Sequence, residues 1–286
     1  MPLLQGRAPA RFGAVRGSVG AGSSTAKSLA ELRRLLSSPL CDRSFLESLR
    51  KDPRPSVAEL VEEAERRQAR LEQERERHDE LLAIERELQA VGRFRIAGVG
   101  QAGLGPLAGP IVAAAVILGD AIEILGIDDP RRIDAARRAA LALEIGRRAR
   151  AIGIGIADVG EIDELNVYHA GLLAMRRAVA NLTLAPDHAL VDAHRIPDIG
   201  IAQSAYVRGD ARSLSIAAAS IVARSHRDAM MEELDTRYPG YAFSRHRGYA
   251  TPEHQAALRR LGPSPAHRCS FDRVRELLAG GRQVDD

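Results

Sequence analysis

The spacing of apolar positions changes along the chain, and each change predicts a different kind of element. Leu29, Leu32, Leu35 and Leu36 recur at three and four residues, which predicts a short amphipathic helix, and a second follows around Phe45 to Leu49. Ser37-Ser38-Pro39 breaks the chain between them. From Ser56 to Ala90 the segment VAELVEEAERRQARLEQERERHDELLAIERELQA predicts one long helix, with many Glu and Arg three or four residues apart supporting a solvated surface. Its apolar positions are sparse in the middle and dense at the ends, so no heptad is sustained and a coiled coil is not favoured.

At Phe94 the pattern turns apolar and Gly-rich. FRIAGV (94–99) and IVAAAVIL (111–118) predict two strands around the loop GQAGLGPLAGP. A helix follows at 132–150, then strand IGIGIA (152–157), helix 161–180, strands ALVDA (189–193) and 202–207, a long helix 214–238, and short helices at 252–261 and 271–278. Strands alternating with helices after an opening hairpin put the chain in the α/β class, a mixed sheet with helices on its faces and a helical N-terminal extension. The implied organisation is a disordered basic tail at 1–27, a charged helical extension at 28–92, a main domain at 93–280 and a tail at 281–286.

Composition narrows the partners. The longest apolar run has eight residues, far short of the ~20 a membrane span needs, so no membrane association is expected. Two cysteines, Cys41 and Cys269, build neither a disulfide framework nor a four-cysteine zinc site, and a cytoplasmic location is expected. Tail 1–27 has four basic residues and no acid, a faint likeness to a transit peptide without its amphipathic period. Of 41 Lys and Arg all but Lys27 and Lys51 are Arg, the side chain whose planar fork grips phosphate. With no Trp and only ten Phe and Tyr, the chain lacks the stacking platforms of single-strand readers. Any nucleic acid it binds is gripped by backbone or duplex shape. From Val207 to Arg282 there are 13 Arg against 8 acids, an excess suited to a phosphate backbone.

Several residues are candidates for chemistry. The loop Gly103-x-Gly105-x-x-x-Gly109 offers backbone amides to a phosphate, although taken alone a tight turn accounts for it better. It is neither a Walker A loop nor a dinucleotide fingerprint, since no Lys-Ser/Thr follows and a strand comes next. Asp192 ends a predicted strand and Asp210 sits in the turn before the long helix, positions suited to metal ligands, although each taken alone reads first as an ordinary turn or capping acid. Glu161-Ile162-Asp163-Glu164 reads as a helix N-terminus. The eight histidines form no HExxH, which argues against zinc, and His246-Arg247-Gly248-Tyr249 reads as a basic turn ending in a ring able to meet a sugar.

The blocks IAGVGQAGLGPLAGPIVAAAVIL, EIDELNVYHAGLLAMRRAV, ALVDAHRIP, VRGDARSLSIAAASIVARSHRD and HRGYATPEHQAALRRLGPSPAHRCSF, in this order, resemble bacterial ribonuclease HII over residues 94–278. The resemblance implies an RNase H-like mixed sheet flanked by helices, and an activity that cuts RNA strands in RNA/DNA hybrids, or ribonucleotides embedded in duplex DNA, using Mg or Mn. It also implies a monomer. Four carboxylates carry that family's mechanism, and Asp192 and Asp210 match two of them. The Asp-Glu pair expected at the end of the first strand is replaced by Gly100 and Gln101, and Leu104 replaces the arginine of a Gly-Arg-Gly element whose Gly103 and Gly105 remain. Tyr249 matches a tyrosine that packs on the sugar, and Arg131 and Arg132 match a basic nucleic-acid-binding pair. A metal that activates water is worth several kcal/mol, so its loss implies roughly 10²- to 10⁴-fold in rate. The expectation is a duplex-binding protein that cleaves weakly or not at all. Two alternatives are a working endonuclease whose metal site is compensated by an acid such as Asp129, and a protein-binding module built on the helix at 56–90.

Overall fold

The computed structural model describes residues 27–38, 42–119 and 123–280. The expected tails and Cys41 lie outside the described residues, apart from Lys27. The chain forms two units, one to Glu72 and one from Gln73.

In the first unit, Ser28 caps helix α1 (Leu29–Leu36) with a reciprocal capping box to Glu31, and Asp42 caps α2 (Arg43–Leu49). Leu32, Leu36, Leu46 and Leu49 bury against Val57, Val61 and Ala64 of α3 (Pro55–Leu81). The helix expected to run unbroken to Ala90 is interrupted at Leu82 and resumes as α4 (Ala83–Ala90). Glu85 of α4 is buried and accepts from Ser213 Oγ (2.6 Å) and Ser215 N (2.8 Å), a polar role that a surface-helix reading does not anticipate.

The second unit is built on a five-stranded sheet: β1 (Ile96–Ala102), β2 (Ile111–Ile117), β3 (Ala151–Ala157), β4 (His188–Asp192) and β5 (Gln203–Tyr206), in the order β3-β2-β1-β4-β5. β1, β2 and β3 are antiparallel neighbours, while β1, β4 and β5 run parallel, so the sheet is mixed. All seven residues of β2 are buried, which explains why it reads as a continuous apolar run instead of an alternating one. Ala113 and Ala115 face α6 (Val159–Ala180) on one side, and Ala114 and Val116 face α7 (Leu214–Arg237) and α5 (Ala135–Arg148) on the other.

α7 lies almost on the backbone of β1. A Cβ at Gly98 would stand 2.0 Å from the Ser215 carbonyl carbon, so only glycine permits this approach. α6, expected as one continuous helix, is kinked at Asn166 (φ 69°), whose Oδ1 accepts from the N–H groups of Tyr168 and His169 and starts the second half. The short helix α8 (Phe243–His246), α9 (Pro252–Leu261) and α10 (Asp272–Gly280) close the C-terminal part, where Phe243, Tyr241, Leu258 and Val274 are buried with Leu107 and Ala108. Among the described residues no helix is long and apolar enough to cross a membrane.

Candidate functional site

Parallel pairing of β1 with β4, with Val99 opposite Val191, brings Gly100, Gln101 and Asp192 to one edge of the sheet. Beyond β5 the chain passes through Arg208 (φ 55°) into a 3₁₀ turn, Gly209–Ala211, that carries Asp210 and leads into α7. Gly209 N–H donates to Asp192 Oδ1 at 2.8 Å and ties the two acid-bearing turns together. Asp210 is only 5% exposed. Burial pushes its carboxyl above the usual range, and the charges of Asp192 and Asp129 push it further. Asp192 is likewise raised, chiefly by burial. The two candidate acids are therefore together, and the charge of Asp192 makes Asp210 harder to ionise.

Arg131 answers that repulsion. Its Nε donates to Asp129 Oδ1 (2.8 Å) and its Nη2 to Asp210 Oδ2 (2.7 Å), while its backbone N–H also reaches Asp129 Oδ1 (2.9 Å). Burial raises Asp129, but these bonds outweigh it and hold the carboxyl below its ordinary value. Arg131, expected from sequence to face a duplex, is thus turned onto two acids; its neighbour Arg132 is exposed and ion-paired to Asp128 at 3.5 Å. Asp129, considered above as a compensating ligand, is engaged by Arg131.

Positions 100 and 101 face opposite sides of the sheet. A Cβ at Gly100 would meet Ser220 Oγ at 2.2 Å and Ser220 N at 2.9 Å, and Gln101 Oε1 lies 2.7 Å from where a Cβ at Gly171 would stand. Both helices have closed onto these positions. Gln101 Oε1, Ser220 Oγ and Asp210 Oδ1 are buried without hydrogen-bond partners, two neutral oxygens and one carboxylate oxygen. A hard divalent cation takes about six oxygen ligands, and a two-ion centre needs several carboxylates. Among the described residues no group of three or more His, Cys, Asp or Glu is placed to hold a metal ion. The residues present do not fit a two-ion centre.

The Gly loop after β1 is braced from beneath by two buried arginines. Arg268 donates to the carbonyls of Gly103 (2.6 Å), Leu104 (3.0 Å) and Gly109 (2.8 Å), and Arg227 to those of Ala108 (3.0 Å) and Pro110 (2.9 Å). Burial lowers their pKa to about 9 and about 10, so both remain cationic at neutral pH. A trans peptide points its N–H opposite to its C=O, so turning the Gly103 and Leu104 carbonyls inward turns the Leu104 and Gly105 N–H groups outward. Gly103 holds φ +93°, a left-handed conformation that glycine adopts freely. The Leu104 side chain is 41% exposed beside Gln101, Tyr168 and His194, which line a hollow of about 290 Å³.

Tyr249 is 40% exposed at the end of the α8 turn. Leu107 N–H donates to the Gly248 carbonyl (2.8 Å), which joins this turn to the Gly loop. Sequence reasoning missed Arg227 and Arg268. A signal for the first existed: Ile216, Ser220, Ala223, Arg227 and Met231 fall on one buried helical stripe, so an arginine stands where an apolar residue is expected.

Comparison with known proteins gives two family profiles, Ribonuclease HII over residues 97–274 and Ribonuclease HII N-terminal domain over residues 28–89. The chain is 50% identical to a ribonuclease HII of Myxococcus xanthus over 82% of its own length and 80% of that protein. It is also 50% identical to one of Geobacillus kaustophilus over 83% of its length and 91% of that protein. In fold it is similar to the crystal structure of ribonuclease H2 from Pyrococcus horikoshii, at a TM-score of 0.58 and 22% identity, covering 66% of this chain and 100% of that one. A Bst-RNase HIII structure in complex with Mn²⁺ matches at a TM-score of 0.51 and 18% identity, covering 69% of this chain and 74% of that one, a likeness of fold.

Proposed function

Because the chain belongs to the ribonuclease HII family, we propose that it binds RNA/DNA hybrids or DNA duplexes with embedded ribonucleotides, and cuts them weakly or not at all. One observation carries the reading: the sheet edge offers Asp192 and Asp210 as its acids, Gly100 and Gln101 stand near the end of β1 with no carboxylate, and Arg131 occupies Asp210. Mg or Mn is the cofactor expected of the family, and the retained acids fit a two-ion arrangement poorly.

Binding draws first on backbone groups, which the replaced side chains at 100, 101 and 104 do not remove. The outward N–H groups of Leu104 and Gly105 suit a ribose hydroxyl or a phosphate, and the Gly loop that presents them is held rigid by Arg227 and Arg268. Tyr249 offers a ring to the neighbouring sugar. Arg195, three residues after Asp192, Arg208 and Arg212, two residues either side of Asp210, and Arg132, next to Arg131, are exposed and suited to phosphates. No base-reading element is needed, which agrees with a chain that has no Trp.

A gel-shift and cleavage experiment on one labelled hybrid duplex tests the reading. The expected result is a retarded complex that weakens steeply with salt, with no product in Mg or Mn. Product accumulating with either ion refutes the loss of cleavage, and absence of a complex at low salt refutes the binding.

A further inference from the structure

Beneath the Tyr249 turn lie three buried histidines, His246, His254 and His267, exposed by 7%, 0% and 1%. Their hydrogen bonds fix their tautomers. His267 Nδ1 accepts from Ser264 N–H (2.9 Å), so its proton is on Nε2, which donates to His254 Nε2 (3.0 Å). His254 must then carry its proton on Nδ1, which donates to the Tyr249 carbonyl (2.9 Å). His246 Nδ1 accepts from Gly248 N–H (3.2 Å), its Nε2 donates to the Tyr241 carbonyl (2.7 Å), and its ring stacks on His254 at 4.3 Å. Burial holds His254 and His267 below the usual range, His267 to about 4, so both are neutral at pH 7.

The relay closes a ring through the backbone. His267 forms a β-bridge with Ala108 of the Gly loop, and Arg268 N–H donates to the Leu107 carbonyl (2.9 Å). Leu107 N–H in turn holds the Gly248 carbonyl (2.8 Å). We infer that His254 and His267 are positioning residues, a hydrogen-bonded imidazole pair that locks the Tyr249 turn to the Gly103–Gly109 loop and sets the separation of the two surfaces that meet the substrate's sugar and backbone. A core needing only bulk here would be filled by apolar residues; three imidazoles with every ring nitrogen partnered specify direction as well as volume. This inference rests on the duplex-binding reading above.

The test measures, by fluorescence anisotropy, the affinity ratio between a DNA duplex with one embedded ribonucleotide and the same duplex in all-DNA form. Tyr249→Ala is expected to collapse the ratio. His254→Phe, which keeps a ring but loses the donor to the Tyr249 carbonyl, is expected to lower the ratio at least about fivefold, the worth of one hydrogen bond, with all-DNA affinity falling by less than that for the ribonucleotide-bearing duplex. Combining it with Tyr249→Ala is expected to add nothing. His254→Gln, which keeps a donor, is expected to restore most of the ratio. A folded His254→Phe variant with the unaltered ratio overturns the inference, as does additivity in the double variant. If Tyr249→Ala itself leaves the ratio unchanged, the sugar-facing role of Tyr249 fails instead, and the relay has nothing to position. Should His254→Phe not fold, the unaltered protein still decides: ¹⁵N NMR is expected to show slowly exchanging protons on His254 Nδ1 and His267 Nε2, and rapid exchange at both overturns the relay.

Discussion

Acidification from pH 7 to 4 is expected to destabilise the protein through His267, and the size of the effect follows from its burial. The imidazole is held to about 4, against an ordinary value of 6.5, because burial and the neighbouring His254 oppose its charge. Between these values the unfolded chain binds a proton that the folded chain refuses, so stability is fully present above pH 6.5 and falls as pH drops toward 4. A difference of about 2.5 pH units at 1.36 kcal/mol each gives a loss of about 3 kcal/mol, with a steepest slope of about 1.4 kcal/mol per pH unit. His254 and His188, lowered chiefly by burial, act in the same direction. Asp192 and Asp210, raised by burial, act in the opposite one, since the folded state takes up their protons first. The comparison that isolates His267 is with His267→Asn, which keeps an acceptor for Ser264 N–H and does not titrate. Urea unfolding is followed by far-UV circular dichroism, because the chain has no Trp. The unaltered protein is expected to be the more stable at pH 7, and its advantage to shrink by about 3 kcal/mol at pH 4. An advantage that stays constant or grows on acidification rules out a neutral, burial-depressed imidazole at His267.

Other outcomes follow from single contacts. Arg268→Met leaves the Gly103, Leu104 and Gly109 carbonyls unpaired in the core and is expected to cost about 3 to 5 kcal/mol, read as a fall in the urea midpoint. Gly98→Ala forces a Cβ to 2.0 Å from the Ser215 backbone and is expected to cost about 3 kcal/mol or to prevent folding, read as loss of soluble protein or a lowered Tm. Arg131→Ala frees Asp210 from its counter-charge, so calorimetric titration with Mn²⁺ is expected to show tighter binding than in the unaltered protein; weaker binding contradicts the role given to Arg131.

What the sequence made legible, and what it hid, divides along physical lines. Elements set by local pattern were readable: the apolar run of β2, the Pro252 start of α9, and the span of α7, expected at 214–238 and found at 214–237. β1 runs past the expected Val99 to Ala102, because Gly100 and Gln101, poor strand formers, are held by pairing with Ala114 and Ala113. The kink at Asn166 comes from a capping side chain inside an otherwise helical pattern, and the break at Leu82 from a helix whose Glu85 turns inward to reach α7. At the site, Asp192 and Asp210 stood out because acids at strand ends and turns do so in one dimension. Their union through Gly209, the grip of Arg131 on a residue 79 positions away, and the histidine relay are contacts between distant segments that no local spacing encodes.

The proposed loss of cleavage turns on Gly100 and Gln101. Its most direct test is nicking of a DNA duplex with one embedded ribonucleotide, in Mg and in Mn, by the unaltered protein and by Gly100→Asp/Gln101→Glu. A Cβ at position 100 meets Ser220 Oγ at 2.2 Å and the Ser220 backbone N at 2.9 Å, so the incoming Asp requires the hydroxyl to turn and the α7 backbone to shift, and the double variant is checked for folding by circular dichroism before it is assayed. No nick is expected from the unaltered protein, and metal-dependent nicking is expected from the double variant. Nicking by the unaltered protein at the rate of the double variant would contradict it.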